Sequence, residues 1–174
     1  MSSIVLSGDT SGSVTVSVPA VSGSNTVTIP AVTGTVMVSS NMPAFSYYQS
    51  AAQTLANSTA TKITFTTSEF DTTGGMYASS RFTPTVSGYY QVSAGVAMGA
   101  AASPMTIYIY KNGSIYKQIN NSISSAISSG FGSALVQLNG STDYIEIYAY
   151  ITIGQVLSAS SAGTYFQSVM VRAA

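Results

Sequence analysis

Apolar and polar side chains alternate along most of this chain, and the alternation has period two. The stretch from Asp143 to Ile153 is the cleanest case: Ile145, Ile147, Ala149, Ile151 and Ile153 interleave with Tyr144, Glu146, Tyr148, Tyr150 and Thr152. Successive side chains of a strand point to opposite faces, so this pattern predicts a strand buried on one side. The same reading puts Tyr90, Val92, Ala94, Val96 and Met98 on one face of a strand over 88–98. On the next strand, Met105, Ile107 and Ile109 oppose Tyr108 and Tyr110. Shorter strands are predicted over 62–65, 115–119, 132–138 and 165–171, with an edge piece over 82–85 in which Pro84 supplies no ladder donor. Asn112-Gly113 and Asn139-Gly140 end two segments, and Asn-Gly is the strongest short-range hairpin signal. Helical periodicity is nearly absent, so the chain reads as all-β.

Residues 1–42 follow a different pattern. They hold no aromatic residue and one charge, Asp9. Val18-Pro19-Ala20-Val21-Ser22-Gly23-Ser24 returns 11 residues later as Ile29-Pro30-Ala31-Val32-Thr33-Gly34-Thr35. Val14, Val16 and Val18 alternate with Thr15 and Ser17, and Val27 and Ile29 alternate with Thr26 and Thr28. This predicts two short paired strands, with each Pro at a strand end and each Gly at a turn. So small a pair is marginal alone and must pack on something else. The division expected is an N-terminal β-rich arm over 1–42 and a head domain over 43–174. Within the arm, Val18, Pro19, Val21, Ile29, Pro30 and Val32 are the candidate attachment residues, an extended segment suited to strand addition on a partner surface.

Composition narrows the function. Of 174 residues only 6% are charged, five basic and five acidic, against roughly 25% in an ordinary soluble domain. Zero net charge favours association, and a surface of Ser, Thr, Asn, Gln and Gly suits burial in an oligomer or larger assembly. With no basic patch, nucleic acid is not an expected partner. Mean hydropathy is positive, but no run approaches the ~20 apolar residues of a spanning helix. The richest, 94–102, is interrupted by Gly95 and Gly99, so membrane insertion is not expected. The N-terminus lacks the basic and apolar regions of a signal peptide.

Candidate chemistry is sparse. Cysteine and histidine are absent, which removes thiolate sites, disulfides and the usual proton shuttles. Two carboxylate pairs remain. Asp143 and Glu146 fall on opposite faces of a strand, while Glu69 and Asp71 could share a face beside a loop; all four read as solvated. No enzyme activity, metal or cofactor is therefore expected. Lys111 and Lys117 flank a hairpin and read as solvated guards of a sheet edge. Tyrosine is the informative residue, with 12 copies and no tryptophan. The stripe of Tyr144, Tyr148 and Tyr150 suits either a sugar-binding platform or a subunit interface. The interface is favoured, with Tyr90 as a further candidate.

In order along the chain stand Phe70-Asp71, then Tyr77-Ala78-Ser79-Ser80-Arg81-Phe82-Thr83-Pro84, Gly88-Tyr89-Tyr90, Lys111-Asn112-Gly113, Leu138-Asn139-Gly140-Ser141-Thr142-Asp143 and Tyr165-Phe166-Gln167-Ser168. This succession resembles the complement-type globular head, a jelly roll related to the tumour necrosis factor superfamily. The match departs from the family by two inserted residues before Asp143, and its last strand is a partial match. The resemblance implies a ten-stranded jelly-roll β-sandwich that trimerises. With so few carboxylates, it does not imply calcium here. The N-terminal repeat is similar to short β segments of tailed-phage virion proteins. The function expected is a homotrimeric capsid decoration (cement) protein on the surface of a bacteriophage virion, docked on capsid proteins by its arm and projecting its head. The alternative is a short tail fibre or receptor-binding tip, joined to tail proteins and recognising a host-surface glycan.

Overall fold

The computed structural model describes residues 3–21, 23–28, 31, 33–34, 36–38, 42–99, 103–124 and 128–174, and these contain no helix. The chain divides into two compact units, Met1–Gly34 and Thr35–Ala174.

In the first unit, β1 (Ser3–Ser7) and β2 (Ser13–Ser17) form an antiparallel hairpin. The Gly8 amide donates to the Gly12 carbonyl at 3.0 Å, and Gly12 takes a positive φ of 78° that few other residues tolerate. The alternation of Val14 and Val16 does mark a strand, but its partner is the segment before it rather than residues 26–29. Residues 25–28 carry no ladder, and Ile29 lies outside the described residues. Pro19, two residues past β2, offers no N–H to extend the strand, whereas the Gly8–Gly12 loop folds residues 3–7 alongside it.

The second unit contains β3 (Ala44–Gln49), β4 (Gln53–Leu55), β5 (Thr61–Lys62), β6 (Thr67–Asp71), β7 (Tyr77–Ala78), β8 (Arg81–Phe82), β9 (Gly88–Ala97), β10 (Met105–Lys111), β11 (Ser114–Ser122), β12 (Ser129–Leu138), β13 (Ile145–Ile151), β14 (Gln155–Leu157) and β15 (Ser160–Ala173). Two antiparallel sheets face each other. One runs β12-β9-β15-β3-β6; the other runs β11-β10-β13-β8-β7, with β5 also pairing β13. A small β14-β4 pair completes the unit. This is a jelly-roll β-sandwich.

The inward rows match the alternation. Tyr90, Val92, Ala94 and Val96 from one sheet and Ile107, Ile109, Ile145, Ile147, Ala149 and Ile151 from the other are fully buried. At one end the Phe45 ring sits 4.8 Å from Tyr77, 4.9 Å from Phe82 and 5.0 Å from Phe166. Met37 also packs against this core.

Two local expectations need correction. Over 62–65 the strand ends at Lys62, and the Ile63 amide makes one more bond to β13, to the Ile147 carbonyl at 2.9 Å. Ile63 and Phe65 stay buried, but the Phe65 amide donates to the Ser80 hydroxyl at 2.8 Å instead of to a strand. The Arg81–Phe82 strand is not an edge, because it lies between β13 and β7 with Phe82 fully buried. The edges β11 and β12 approach so closely that a Cβ on Gly132 would lie 2.0 Å from the Ile119 carbonyl oxygen. Only glycine fits there.

Candidate functional site

Strand register arranges the outward residues of the two sheets into rows, and the two faces differ in kind.

On the outer face of the six-stranded sheet, Tyr108 pairs with Tyr148, which pairs with Lys62, and Tyr110 pairs with Glu146. Glu146 is 3% exposed. Its Oε1 accepts from Lys62 Nζ at 2.7 Å and Arg81 Nε at 2.9 Å. Burial alone would push this carboxyl up. Hydrogen bonds and charge from Lys62 and Arg81 outweigh it and hold Glu146 below the usual carboxylate range. The Arg81 guanidinium lies 3.9 Å over the Tyr144 ring. The Tyr110 and Tyr148 rings stack at 3.9 Å with 22° between planes, and Tyr108 meets Tyr110 edge-on at 6.3 Å. The Tyr110 and Tyr148 rings thus pack on each other, and the Tyr144 ring on a guanidinium.

On the outer face of the five-stranded sheet, register aligns Phe131, Gly95, Tyr165, Tyr48 and Thr67 in one row. Ser133, Ser93, Gln167, Ser46 and Phe70 form a second, and Leu135, Gln91, Val169 and Ala44 a third. None of these three rows contains a charge. Arg172 lies over Tyr89 at one margin, and Glu69 accepts from the Ser46 hydroxyl at 2.7 Å on the edge strand. Phe131 and Leu135 at the β12 end are 51% and 50% exposed, and Phe70 at the β6 end is 52% exposed. Between Phe70 and Val169 lies a groove of about 340 Å³, floored by Gln91, Ser93 and Gln167. The Phe131 and Tyr165 rings lean over Gly95, where a Cβ would meet them at 2.9 and 2.7 Å.

The candidate residues separate accordingly. Tyr144, Tyr148 and Tyr150 are on the self-packed face of the six-stranded sheet. Tyr90 is not available to any interface: it is fully buried, its ring packs edge-on to Phe82 at 5.3 Å, and its hydroxyl donates to the Val86 carbonyl at 2.7 Å. Burial pushes that phenol up to about 12. Its alternation with Val92 and Ala94 already placed it with the core. Val18, Pro19 and Val21 are exposed, Val21 at 91%; Ile29, Pro30 and Val32 lie outside the described residues.

The carboxylates are structural rather than simply solvated. Asp143 accepts from Asn112 Nδ2 at 2.8 Å, Lys111 Nζ at 2.9 Å and the Asn139 amide at 3.0 Å. The Asn112 and Lys111 contacts hold its carboxyl low. Lys111 is therefore a latch between loops rather than a free edge guard, and it also donates to the Gln137 carbonyl at 2.8 Å. Asp71 accepts from the Tyr47 hydroxyl at 2.8 Å and the Thr73 amide at 2.7 Å. Among the described residues no three acidic side chains gather to hold a metal ion.

The residues missed by sequence reasoning are Phe70, Phe131, Leu135 and Val169. A signal existed: Phe131 and Leu135 alternate with Gly132, Ala134 and Val136, so β12 is apolar on both sides, the mark of a strand covered on both faces.

This architecture has solved counterparts. The head has the jelly-roll fold of tumour necrosis factor and complement globular heads. Murine APRIL superposes with a TM-score of 0.58 at 17% identity, covering 75% of this chain and 99% of that one. The globular domain of zebrafish complement 1qA gives 0.56 at 14%, covering 76% and 98%. The PRD1 vertex protein P5 gives 0.52 at 15%, covering 75% and 94%. No family model and no curated protein sequence matches the chain.

Proposed function

We propose that this protein is a non-enzymatic structural component of a phage particle: a homotrimeric capsid decoration protein that docks by its N-terminal arm and projects its jelly-roll head. The observation that carries the reading is the outer face of the five-stranded sheet, whose three rows hold no charged residue and whose edge strand keeps the Glu69 carboxylate bonded to Ser46. Exposed Phe131 and Leu135 on the edge strand β12, and the groove that runs from Gln91 and Ser93 on β9 past Val169 to Phe70 on β6, make a knob and a hole on one surface. Such a surface joins copies head to tail, and a head-to-tail contact that closes makes a ring. The trimer interface is therefore placed on this sheet, while Tyr144, Tyr148 and Tyr150 face outward. The similarity of the head to a virion vertex protein supports a place on a particle, as does an arm that leaves Val18, Val21 and Val27 exposed.

Mechanically, a cement protein bridges neighbouring shell subunits, so that rupture requires breaking several linked contacts at once. Three arms on one trimer supply that linkage through effective concentration rather than through a large interface per arm.

The test is removal of residues 1–34, the first compact unit. The truncated protein should remain a folded trimer and fail to bind particles that lack it. Binding at the full-length level would refute the arm assignment. Copy number on a stained gel of purified virions separates decoration from a tail fibre: roughly hundreds for the first, roughly tens or fewer for the second, as closed symmetries dictate.

A further inference from the structure

We propose that the apolar face of the β1–β2 hairpin is closed by the same face of the hairpins of sister chains, so that the arms of one oligomer are clasped to each other. The inference rests on the homotrimer reading above and specifies what the arm does within it.

The hairpin is two-sided. Register sets Ile4 opposite Val16 and Leu6 opposite Val14, and all four lie on one face by the period of the strand. The other face carries Ser3 opposite Ser17, Val5 opposite Thr15 and Ser7 opposite Ser13. Ile4, Leu6, Val14 and Val16 are 64%, 59%, 65% and 57% exposed. An isolated two-stranded sheet of this length is marginal in water, so its stable form needs that face covered.

Two features point to a second copy as the cover. The first is charge. Asp9, in the turn, is the only charged residue before Lys62, so the face offers nothing by which a foreign partner would be steered or selected. A flat patch of branched aliphatics fits best against an equally uncharged patch, and an identical hairpin supplies one. The second is area. Four aliphatic side chains expose well under the roughly 800 Å² per partner that a free-standing interface buries. The hairpins therefore hold together only when another contact already tethers their chains, and the charge-free rows of the head supply it. Clasped hairpins turn their Ser and Thr outward, with Val5 the one aliphatic side chain on that face, and leave the following segment, from Val18 onward, to meet the shell.

The absence of native cysteine makes a clean test on the full-length protein. Leu6→Cys and Thr15→Cys place one thiol on the apolar or the polar face of the hairpin, and each variant is exposed to oxidised glutathione. The Leu6→Cys chain should give a disulfide-linked pair roughly tenfold or more faster than the Thr15→Cys chain, at a rate independent of protein concentration because the sister arm is tethered. Val14→Cys repeats the measurement from the opposite strand in case Leu6→Cys perturbs folding. Equal rates on both faces, faster linking from Thr15→Cys, or no linking from either apolar position overturns the clasp. Sedimentation of the unsubstituted chain is read alongside. A trimer without apolar-face linking rejects the clasp alone, whereas a monomer rejects the oligomer on which it rests.

Discussion

Single residues in this head do their work through charge placed under cover. Glu146 is the clearest, nearly inaccessible and held by two cations. Because its folded-state carboxyl titrates below the unfolded value of about 4.3, its stabilisation is complete above that pH and fades as pH falls through the lower folded value. Asp143, also held low, acts in the same direction. The melting temperature should therefore fall steadily below about pH 4, and Glu146→Gln should flatten part of that slope. At pH 7 Glu146→Gln should cost about 1–2 kcal/mol, less than for a fully buried pair because Lys62 and Arg81 keep contact with water. Thermal melts from pH 3 to 7 on both proteins check this. Asn112 is a second such residue. Its positive φ of 54° starts the hairpin turn, while its side chain donates to Asp143 and accepts from the Tyr144 amide at 3.0 Å. Asn112→Ala loses both bonds and the tolerated backbone conformation, for an expected loss of about 1–2 kcal/mol in a denaturant titration.

At the scale of elements, Gly132 sets how closely β11 can cross β12. A methyl group there meets the Ile119 backbone, and backbone cannot swing aside as a side-chain tip can. Gly132→Ala should cost about 1–3 kcal/mol or more and loosen amide protection in β11, read by hydrogen exchange. The long strands were legible in the sequence because their alternation is local: 88–98, 105–110 and 145–151 name their own inward faces, although β13 stops at Ile151 and Ile153, expected in its buried row, is 56% exposed. What stayed illegible depends on distance along the chain. Phe65 looked like ladder and is instead bonded to Ser80, a partner no period announces. The sequence repeat points β2 forward to residues 26–29, whereas the glycines that fold its actual partner alongside, Gly8 and Gly12, precede it.

For the molecule as a whole, the tyrosine stripe was readable and its role was not. Alternation shows that Tyr144, Glu146, Tyr148 and Tyr150 point away from the core, but only register across β10, β13 and β5 brings Tyr110 and Lys62 among them. The charge-free rows, conversely, are built from two or three outward residues on each of five strands, and no local stretch displays them. The interface proposed above accordingly lies on the five-stranded sheet rather than on the aromatic one. Phe131→Asp combined with Leu135→Asp should separate the subunits while leaving a folded head, because both side chains are half exposed in the single chain and carry little of its core. Tyr148→Ala should leave the assembly intact. Circular dichroism establishes folding, and light scattering establishes mass.

Equilibrium sedimentation of the full-length protein bears on the central claim most directly. The proposed trimer, closed through the charge-free rows of the five-stranded sheet, predicts three times the chain mass, persisting on dilution to micromolar concentration and falling to one chain mass when Phe131 and Leu135 are both made acidic. A stable single chain at working concentration, or a trimer indifferent to those two changes, would contradict the account.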